Sequence, residues 1–299
     1  MVNEVNGFNI SFKGEFIREV NFKDSPHAPG YIIDKPSLLS ILLSNAEATG
    51  AKIFFNTTVR DVDSKFGKVR LKNGKILQGD LVICADGAVS LARKHLDNSN
   101  FEIAPCLQYE CRFPNNELDS DYLHLDIIGD GYAWVFFKDD CANVGIGSLN
   151  MDPSFNAFSY LTKFIKKHNG RIVGKPRGAL VSLGGPIKKF SAGKLVVAGE
   201  AAGCVMPLTG EGNRFGLYGG SMAYKPNYRS EFMQKYGNKL KTSRKILEFV
   251  KILKDEERIE FLKGLEDPLR VLEGNLPNLR SLVSRPRLPL KIIWKYLSS

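Results

Sequence analysis

The chain has 299 residues, of which 43% are hydrophobic and 25% charged, and it carries a formal net charge of +10. These proportions exclude a disordered or low-complexity chain, and the length allows one large domain or two modest ones with ample core. No apolar run approaches the ~20 residues of a spanning helix and no charged–apolar–small leader precedes the chain, so the expected location is the cytoplasm.

Taken in chain order, residues 9–12 and 16–22 read as two strands around a Lys13-Gly14 turn, and Pro26, Pro29 and Gly30 then break the chain. Residues 36–48 predict a helix: Pro36 fits the first turn, Leu38, Leu39, Leu42 and Leu43 form an apolar stripe, and Gly50 fits the stop. Residues 51–61 predict a strand, and 69–71 pairs with 75–78 across Asn73-Gly74, a strong hairpin signal. An apolar strand at 81–85 ends in Asp86-Gly87, with Ser90 and Arg93 in the helical start that follows.

Strand-like runs succeed one another from 101 to 149 and suggest an antiparallel sheet. Within it, GYAWVFFKDDCANVGIG (131–147) alternates Tyr132, Trp134 and Phe136 against Ala133, Val135 and Phe137, so one face presents three large rings. Alternation by itself fits a core strand with aromatic packing as well as a ligand-facing wall. Residues 154–168 look helical, and 177–186 lead into KLVVAGEAAGCVMPLTGEGNRFGLYGG (194–220).

That last segment is the most informative of the chain. An apolar strand (Leu195, Val196, Val197, Ala198) meets Gly199-Glu200, small residues lead to Pro207, and Gly210-Glu211-Gly212-Asn213 opens a helical pattern through Phe215, Leu217, Tyr218 and Met222. Glycines at 210 and 212 let backbone approach a flat ligand, and the free N–H groups of the new helix point at whatever negative charge sits there. Such an arrangement suits a flavin, whose reduced ring is negative near N1 and O2.

Five cysteines (84, 106, 111, 141, 204) include no C-x-x-C pair and no histidine partner at metal spacing, so no metal site is expected. Their odd, irregular set also argues against a secreted disulfide framework. Beyond Lys225 the pattern is helical and basic: residues 225–299 hold seventeen Lys/Arg against nine Asp/Glu, eight of the ten net positive charges. The last twenty residues combine Arg280, Arg285, Arg287, Lys291 and Lys295 with Trp294 and no acid. Such a tail fits contact with anionic lipid, and equally a docked helix with a solvated basic face. No nucleic-acid module accompanies the charge, and no nucleic-acid partner is expected.

The 194–220 segment resembles the second flavin fingerprint of the geranylgeranyl reductase family, within the aromatic-hydroxylase-type flavoproteins. DLVICADGAVSLAR (80–93) is similar to the family's Asp-Gly element, and 131–138 to its Tyr-x-Trp-x-Phe-Pro-Lys stretch, with Phe137 in the usual proline position. Residues 31–35, YIIDK, are similar to a further family motif in which arginine is usual at Lys35. The resemblance covers most of the chain but omits the family's amino-terminal strand, G-x-G-x-x-G and helix. The nearest candidate, Gly145-x-Gly147, lies inside the expected substrate sheet.

The resemblance implies an α/β fold: an incomplete FAD-binding domain of the glutathione-reductase/hydroxylase type, an inserted antiparallel-sheet substrate domain and a helical C-terminal region. It divides the chain into strands of the substrate sheet (1–30), an FAD-binding segment (31–99), the substrate domain (100–186), a second FAD-binding segment (187–224) and a basic helical region (225–299). It implies FAD contacts at Lys35, Val59, Asp86, Gly87, Gly199, Glu200, Pro207, Gly210, Glu211, Gly212 and Asn213, with Tyr132, Trp134 and Phe136 lining an isoprenoid channel. The activity implied is reduction of isolated C=C bonds in geranylgeranyl chains of archaeal-type ether lipids. A peripheral membrane contact and an unidentified electron donor go with it, and no residue is assigned as proton donor.

Glu200 departs from the family's Gly-Asp, and one extra methylene can carry a carboxylate ~1.5 Å past its partner. With the dinucleotide motif missing as well, FAD binding by this chain alone is expected to be weak. A flavin-dependent monooxygenase on the same scaffold and a non-catalytic lipid- or membrane-binding remnant are the alternative readings.

Overall fold

A computed structural model describes residues 2–24, 30–96, 102–114, 118–138, 141–149, 156–283, 285 and 288. The first part contains β1 (Val2–Val5), β2 (Gly7–Phe12), β3 (Glu15–Asn21), β4 (Gly30–Ile33), helix α1 (Lys35–Ala48), and strands β5 (Val59–Asp63), β6 (Lys68–Leu71), β7 (Ile76–Gln78) and β8 (Val82–Cys84). Next come β9 (Ile103–Arg112), β10 (Tyr122–Ile128), β11 (Gly131–Lys138), β12 (Cys141–Ser148), α2 (Ala157–Lys167) and β13 (Arg171–Ser182). The chain then runs through β14 (Ser191–Ala192), β15 (Leu195–Val197), α3 (Asn213–Met222), α4 (Tyr228–Ile252), α5 (Asp255–Gly264), α6 (Pro268–Leu272) and α7 (Leu279–Val283).

A seven-stranded sheet in the order β13-β9-β12-β11-β10-β2-β3 dominates. All its pairs are antiparallel except β10 with β2. The alternation in β11 divides it between two faces. Ala133, Val135 and Phe137 are buried in a cluster with Val144, Leu161 and Ile165, where α2 covers the sheet. Leu161 and Ile165 stand four residues apart on one face of α2, and Asn156 caps the helix by accepting the Ser159 N–H at 2.9 Å. Tyr132, Trp134 and Phe136 are left half-buried on the opposite face.

A smaller sheet, β14-β15-β8, carries the parallel pair β15–β8, and a third sheet is the β5-β6-β7 meander. The Asn73-Gly74 turn forms with Gly74 at φ +87° and the Leu71 N–H bonded to the Lys75 carbonyl at 2.8 Å. β15 (Leu195, Val196, Val197) is buried on both faces among Phe215, Phe232 and Leu240 of α3 and α4. Helices α4 to α7 close around Phe249, Phe261 and Leu282. Among the described residues no helix is long and apolar enough to cross a membrane, and no group of His, Cys, Asp and Glu could hold a metal ion.

β1, a strand not read from the sequence, pairs with β4 in a two-stranded sheet of its own. Two details differ from expectation. The strand expected over 51–61 forms only from Val59 onward, and 51–54 has no regular structure. A strand needs a neighbour for its N–H and C=O groups, and none among the described residues reaches 51–54. Helix α1 forms where its sequence predicts, capped by Asp34 with Pro36 in its first turn, yet none of its residues is buried. The basic tail at 289–299 lies outside the described residues.

Candidate flavin-facing site

The parallel pair β15–β8 sets the site. Both strands end in turns that only glycine adopts without strain: Gly87 after β8 has φ +79° and Gly199 after β15 has φ +60°. The two turns face each other, because a Cβ on Gly87 would lie 3.6 Å from Glu200 Oε2. The other Glu200 oxygen accepts the Ser182 N–H at 3.0 Å, so the end of β13 is tied to the turn. Asp86 is exposed, and its Oδ2 accepts the Leu91 N–H at 2.8 Å, closing the Asp-Gly turn onto the segment after it.

Residues 201–207 are buried. Beyond Pro207 the chain turns at Gly210 (φ +70°), and α3 starts at Asn213 without a side-chain cap. Among the described residues, the amide N–H groups of Gly212 and Asn213 donate to no protein acceptor, while the Arg214 N–H donates to Glu211 Oε1 at 3.2 Å. These amides and the bare backbone at Gly210 form a donor-lined cradle suited to the electron-rich edge of a flat ring. The loop is held from behind: Ser243 Oγ of α4 accepts the Leu208 N–H at 2.9 Å.

The aromatic face meets this loop directly. Tyr132 Oη donates to the Thr209 carbonyl. Trp134 stacks beside Phe136 with ring centroids 6.2 Å apart, and its Nε1 donates to Asn143 Oδ1 at 2.6 Å. Opposite Tyr132 and Trp134 in the register stand Gly147 and Gly145 of β12. A Cβ on Gly145 would come within 2.1 Å of the indole, so that glycine makes the room in which Trp134 lies. Gly145-x-Gly147 thus belongs to the sheet wall.

Charge around the loop is organised by Arg214. Its Nη1 spans both Glu273 oxygens at 3.1 and 3.0 Å, its Nε lies 2.8 Å from Glu211 Oε2, and Lys239 joins Glu273 at 3.1 Å. Burial raises the Glu211 carboxyl above its ordinary range and Arg214 offsets this only in part. Burial also acts on Glu273, but hydrogen bonds from Arg214 and Lys239 outweigh it and hold that carboxyl low.

The structure therefore brings Asp86, Gly87, Gly199, Glu200, Pro207, Gly210, Glu211, Gly212, Asn213 and Tyr132 into one neighbourhood, with Trp134 and Phe136 along the same face. Lys35 and Val59 lie elsewhere on the surface: Lys35 opens α1, Val59 opens β5, and both are exposed.

A family model for the geranylgeranyl reductase catalytic domain matches residues 102–181, the segment that supplies β9 to β12, α2 and most of β13. The digeranylgeranylglycerophospholipid reductase of Methanococcus vannielii is 29% identical over 296 residues, covering 89% of this chain and 73% of its own length. Digeranylgeranylglycerophospholipid reductase 1 of Methanosphaera stadtmanae is 31% identical over 250 residues, covering 74% of this chain and 60% of its own. The chain belongs to the geranylgeranyl reductase family.

A solved geranylgeranyl bacteriochlorophyll reductase-like protein of Thermoplasma acidophilum shares the mixed α/β fold, with a TM-score of 0.72 at 22% identity over 99% of this chain and 81% of that one. A flavoprotein/dehydrogenase of Cytophaga hutchinsonii follows at a TM-score of 0.62 and 17% identity, covering 99% and 83% of the two chains.

Of three further residues at the candidate site, the sequence marks Arg93 only as part of the 80–93 element, and it assigns Ser182 and Cys106 no role. Arg93 is 2% exposed: its Nε donates to the Ala201 carbonyl at 3.2 Å, and its Nη2 to Ser182 Oγ at 3.0 Å and the Glu200 carbonyl at 3.3 Å. It clamps together the strand ends that form the site. In the sequence it is the first of two adjacent cations, Arg93-Lys94, after the short, mostly apolar run that follows Asp86-Gly87. Ser182 has no such signal, because its role depends on where β13 ends. Cys106 faces Gly147 across the β9–β12 pair. Burial, then the nearby Glu200, pushes its thiol up to about 11, so it stays protonated at neutral pH.

Proposed function

We propose that this chain forms the substrate sheet and the flavin-facing half of an FAD-dependent reductase acting on isolated C=C bonds of geranylgeranyl chains in archaeal-type ether lipids. The observation that carries the reading is the Tyr132–Thr209 hydrogen bond, which fastens a wall of three aromatic rings to a loop whose next amides, at Gly212 and Asn213, are free to donate. The names of the Methanococcus and Methanosphaera relatives support the substrate class.

The residues present fit the ring-facing half of FAD. Gly210, Gly212 and Asn213 would receive the isoalloxazine edge, Pro207 and Glu211 would shape the loop beneath it, and Asp86, Gly87, Gly199 and Glu200 would adjoin the ribityl chain. Reduced FAD, when bound, would supply a hydride to one alkene carbon, and the other carbon would take a proton from a donor that no residue of this chain is assigned to be. Of the chain's own residues, Tyr132, Trp134 and Phe136 would exclude water and hold the alkene, and the loop amides would favour negative charge where the ring is electron-rich.

Residues 31–99 and 187–224 serve as the FAD-binding segments, 100–186 with strands of 1–30 as the substrate domain, and 225–299 as a basic helical region suited to touching an anionic membrane surface from the cytoplasm. The electron donor is a separate molecule. FAD binding by this chain alone is weak, because the sequence has no G-x-G-x-x-G and a Glu200 oxygen is already engaged by the Ser182 N–H.

The test is the visible spectrum of the washed chain after incubation with FAD, followed by anaerobic turnover of geranylgeranyl ether lipid with dithionite. Little retained flavin, together with lipid that gains two hydrogens per bond at high added FAD, is expected. Hydroxylated lipid or hydrogen peroxide in air, without saturated product, would replace the reductase reading with a monooxygenase. A flavin spectrum that survives washing would overturn the weak-binding part alone.

A further inference from the structure

A sharp charge asymmetry lies away from the candidate site. Residues 153–199 hold nine Lys/Arg and no Asp/Glu, in a chain with 32 acids among its 299 residues. The fold places six of these cations on two adjoining elements. Lys163, Lys166 and Lys167 are exposed on α2, and Arg171, Lys175 and Arg177 are exposed on β13, an edge strand of the seven-stranded sheet. Among the described residues none of the six makes a salt bridge. The neighbouring strand β9 contributes one acid, Glu110, opposite Val173. The basic carboxy-terminal region differs, because Lys239, Arg244, Lys251 and Arg258 are already paired with Glu273, Glu102, Glu248 and Asp130.

The six cations flank the sheet edge on both sides. Arg177 pairs with Gln108, whose cross-strand row continues through Gly145 to Trp134. Directly paired residues share a face, so Arg177 stands on the aromatic side. Ile172 pairs with Cys111, which is buried in the cluster with Leu161 and Ile165 of α2, so Ile172 stands on the helix side. A single phosphate cannot meet the lysines of α2 and Arg177 together, whereas an extended anionic surface approached along the edge meets both.

Apolar side chains are interleaved with the charges: Phe158 of α2 and Ile172, Val173 and Leu180 of β13 are 55%, 40%, 37% and 47% exposed. This mixture separates the candidate partners. Nucleic acid rewards the cations through its phosphates but not aliphatic side chains set between them. A protein partner is met by an apolar centre with charge at the rim, not by cations and aliphatic groups alternating along one strand. Cations on an edge strand also discourage strand pairing, which accounts for Lys175 but not for the three lysines of α2. The interfacial layer of an anionic bilayer takes both kinds of side chain, headgroups meeting Lys and Arg and the acyl boundary meeting the apolar groups. That layer is wet, so the outer N–H and C=O groups of β13 stay hydrated there, as they could not in hydrocarbon.

We infer that α2 and the outer edge of β13 form the face with which this chain meets an anionic lipid surface, the edge strand lying along the headgroups. The inference goes beyond the reductase reading and stands without it, since neither flavin nor turnover enters its test.

The full 299-residue chain is sedimented with vesicles of phosphatidylcholine, alone or mixed in equal parts with phosphatidylserine. Binding to the mixed vesicles at about 0.1 M salt, lost at about 1 M, is expected, with none to the neutral ones. In the bound chain Lys163, Lys166, Lys167 and Lys175 should be protected from acetylation, while Lys241 and Lys245 of α4 stay reactive. The triple variant Lys166→Gln, Lys167→Gln, Arg177→Gln should weaken binding by about thirtyfold or more. The same loss of charge on α4, Lys235→Gln, Lys241→Gln, Lys245→Gln, should weaken it by less than about threefold. All six positions are exposed, and circular dichroism checks that both variants fold. No binding to mixed vesicles at the lower salt, equal weakening by the two triple variants, or α2 lysines left reactive on the vesicle would each overturn the inference. So would tighter binding to a DNA duplex than to vesicles at matched phosphate concentration, which would assign the face to nucleic acid.

Discussion

Tyr132 on β11 and Thr209 in the loop before α3 are joined by a hydrogen bond from phenol to carbonyl, across 77 residues of sequence. This contact ties the aromatic wall to the loop. Burial, then the neighbouring Cys106, pushes the phenol above its ordinary value and keeps it a donor throughout the neutral range.

Tyr132→Phe keeps the ring and removes only that donor. A carbonyl left without its partner costs about 1–3 kcal/mol when buried, so a loss of about 1 kcal/mol of unfolding free energy, read as a lowered urea midpoint, is expected. FAD affinity should fall as well, because the loop is freed while Trp134 and Phe136 stay in place. Unchanged flavin titration with a lowered midpoint would confine the bond to stability.

Gly145 gives a sharper steric prediction. An alanine there must displace Trp134, whose indole lies 2.1 Å from the new methyl and is held by Asn143. Overpacking of this kind costs about 1–3 kcal/mol. Trp134 is one of two tryptophans in the chain, so a red-shifted emission should accompany the loss. Trp134→Phe in the Gly145→Ala background should restore part of the stability, and a double-mutant cycle measures the coupling.

Arg93 is the buried clamp between the end of β13 and the turn after β15, and its charge is held by two carbonyls and the Ser182 hydroxyl. Hydrogen bonds to a charged group contribute about 1.5–3 kcal/mol each in mutational series. Arg93→Ala is therefore expected to cost about 3 kcal/mol or more in urea unfolding, and Ser182→Ala far less, since it removes one acceptor. Arg93→Lys should recover little, because a single ammonium cannot reach three acceptors arranged for a planar fork.

The parts of this fold legible in the sequence are those fixed by neighbours along the chain. The hairpin at Asn73-Gly74, the helix opening at Pro36 and the two faces of β11 each follow from a local pattern. The site became visible because Asp86-Gly87 and 199–213 end strands in glycine turns, a signal written in a few consecutive residues. Ser182 and Cys106 were not legible, because their roles arise from the register of β13 and β9 against distant strands. Residues 51–58 misled for the opposite reason: their composition is that of a strand, but a strand is a property of a pair, and no partner among the described residues supplies it.

The Glu211–Arg214–Glu273 group predicts opposite pH slopes from two carboxyls that share one guanidinium. Glu273 titrates below its ordinary 4.5 in the folded state. Its stabilisation is therefore present above about pH 4.5 and lost as pH falls through the lowered value. Glu211 titrates above 4.5, so its contribution is greatest below about pH 4.5 and declines as pH rises through the raised value. Urea midpoints measured from pH 3 to 8 should show Glu273→Gln losing most stability near neutrality and converging on the parent in acid. Glu211→Gln should lose least at neutrality relative to its loss in acid. Parallel profiles for the two variants would mean that Arg214 does not divide its interaction between them as the 3.0 Å and 2.8 Å contacts imply.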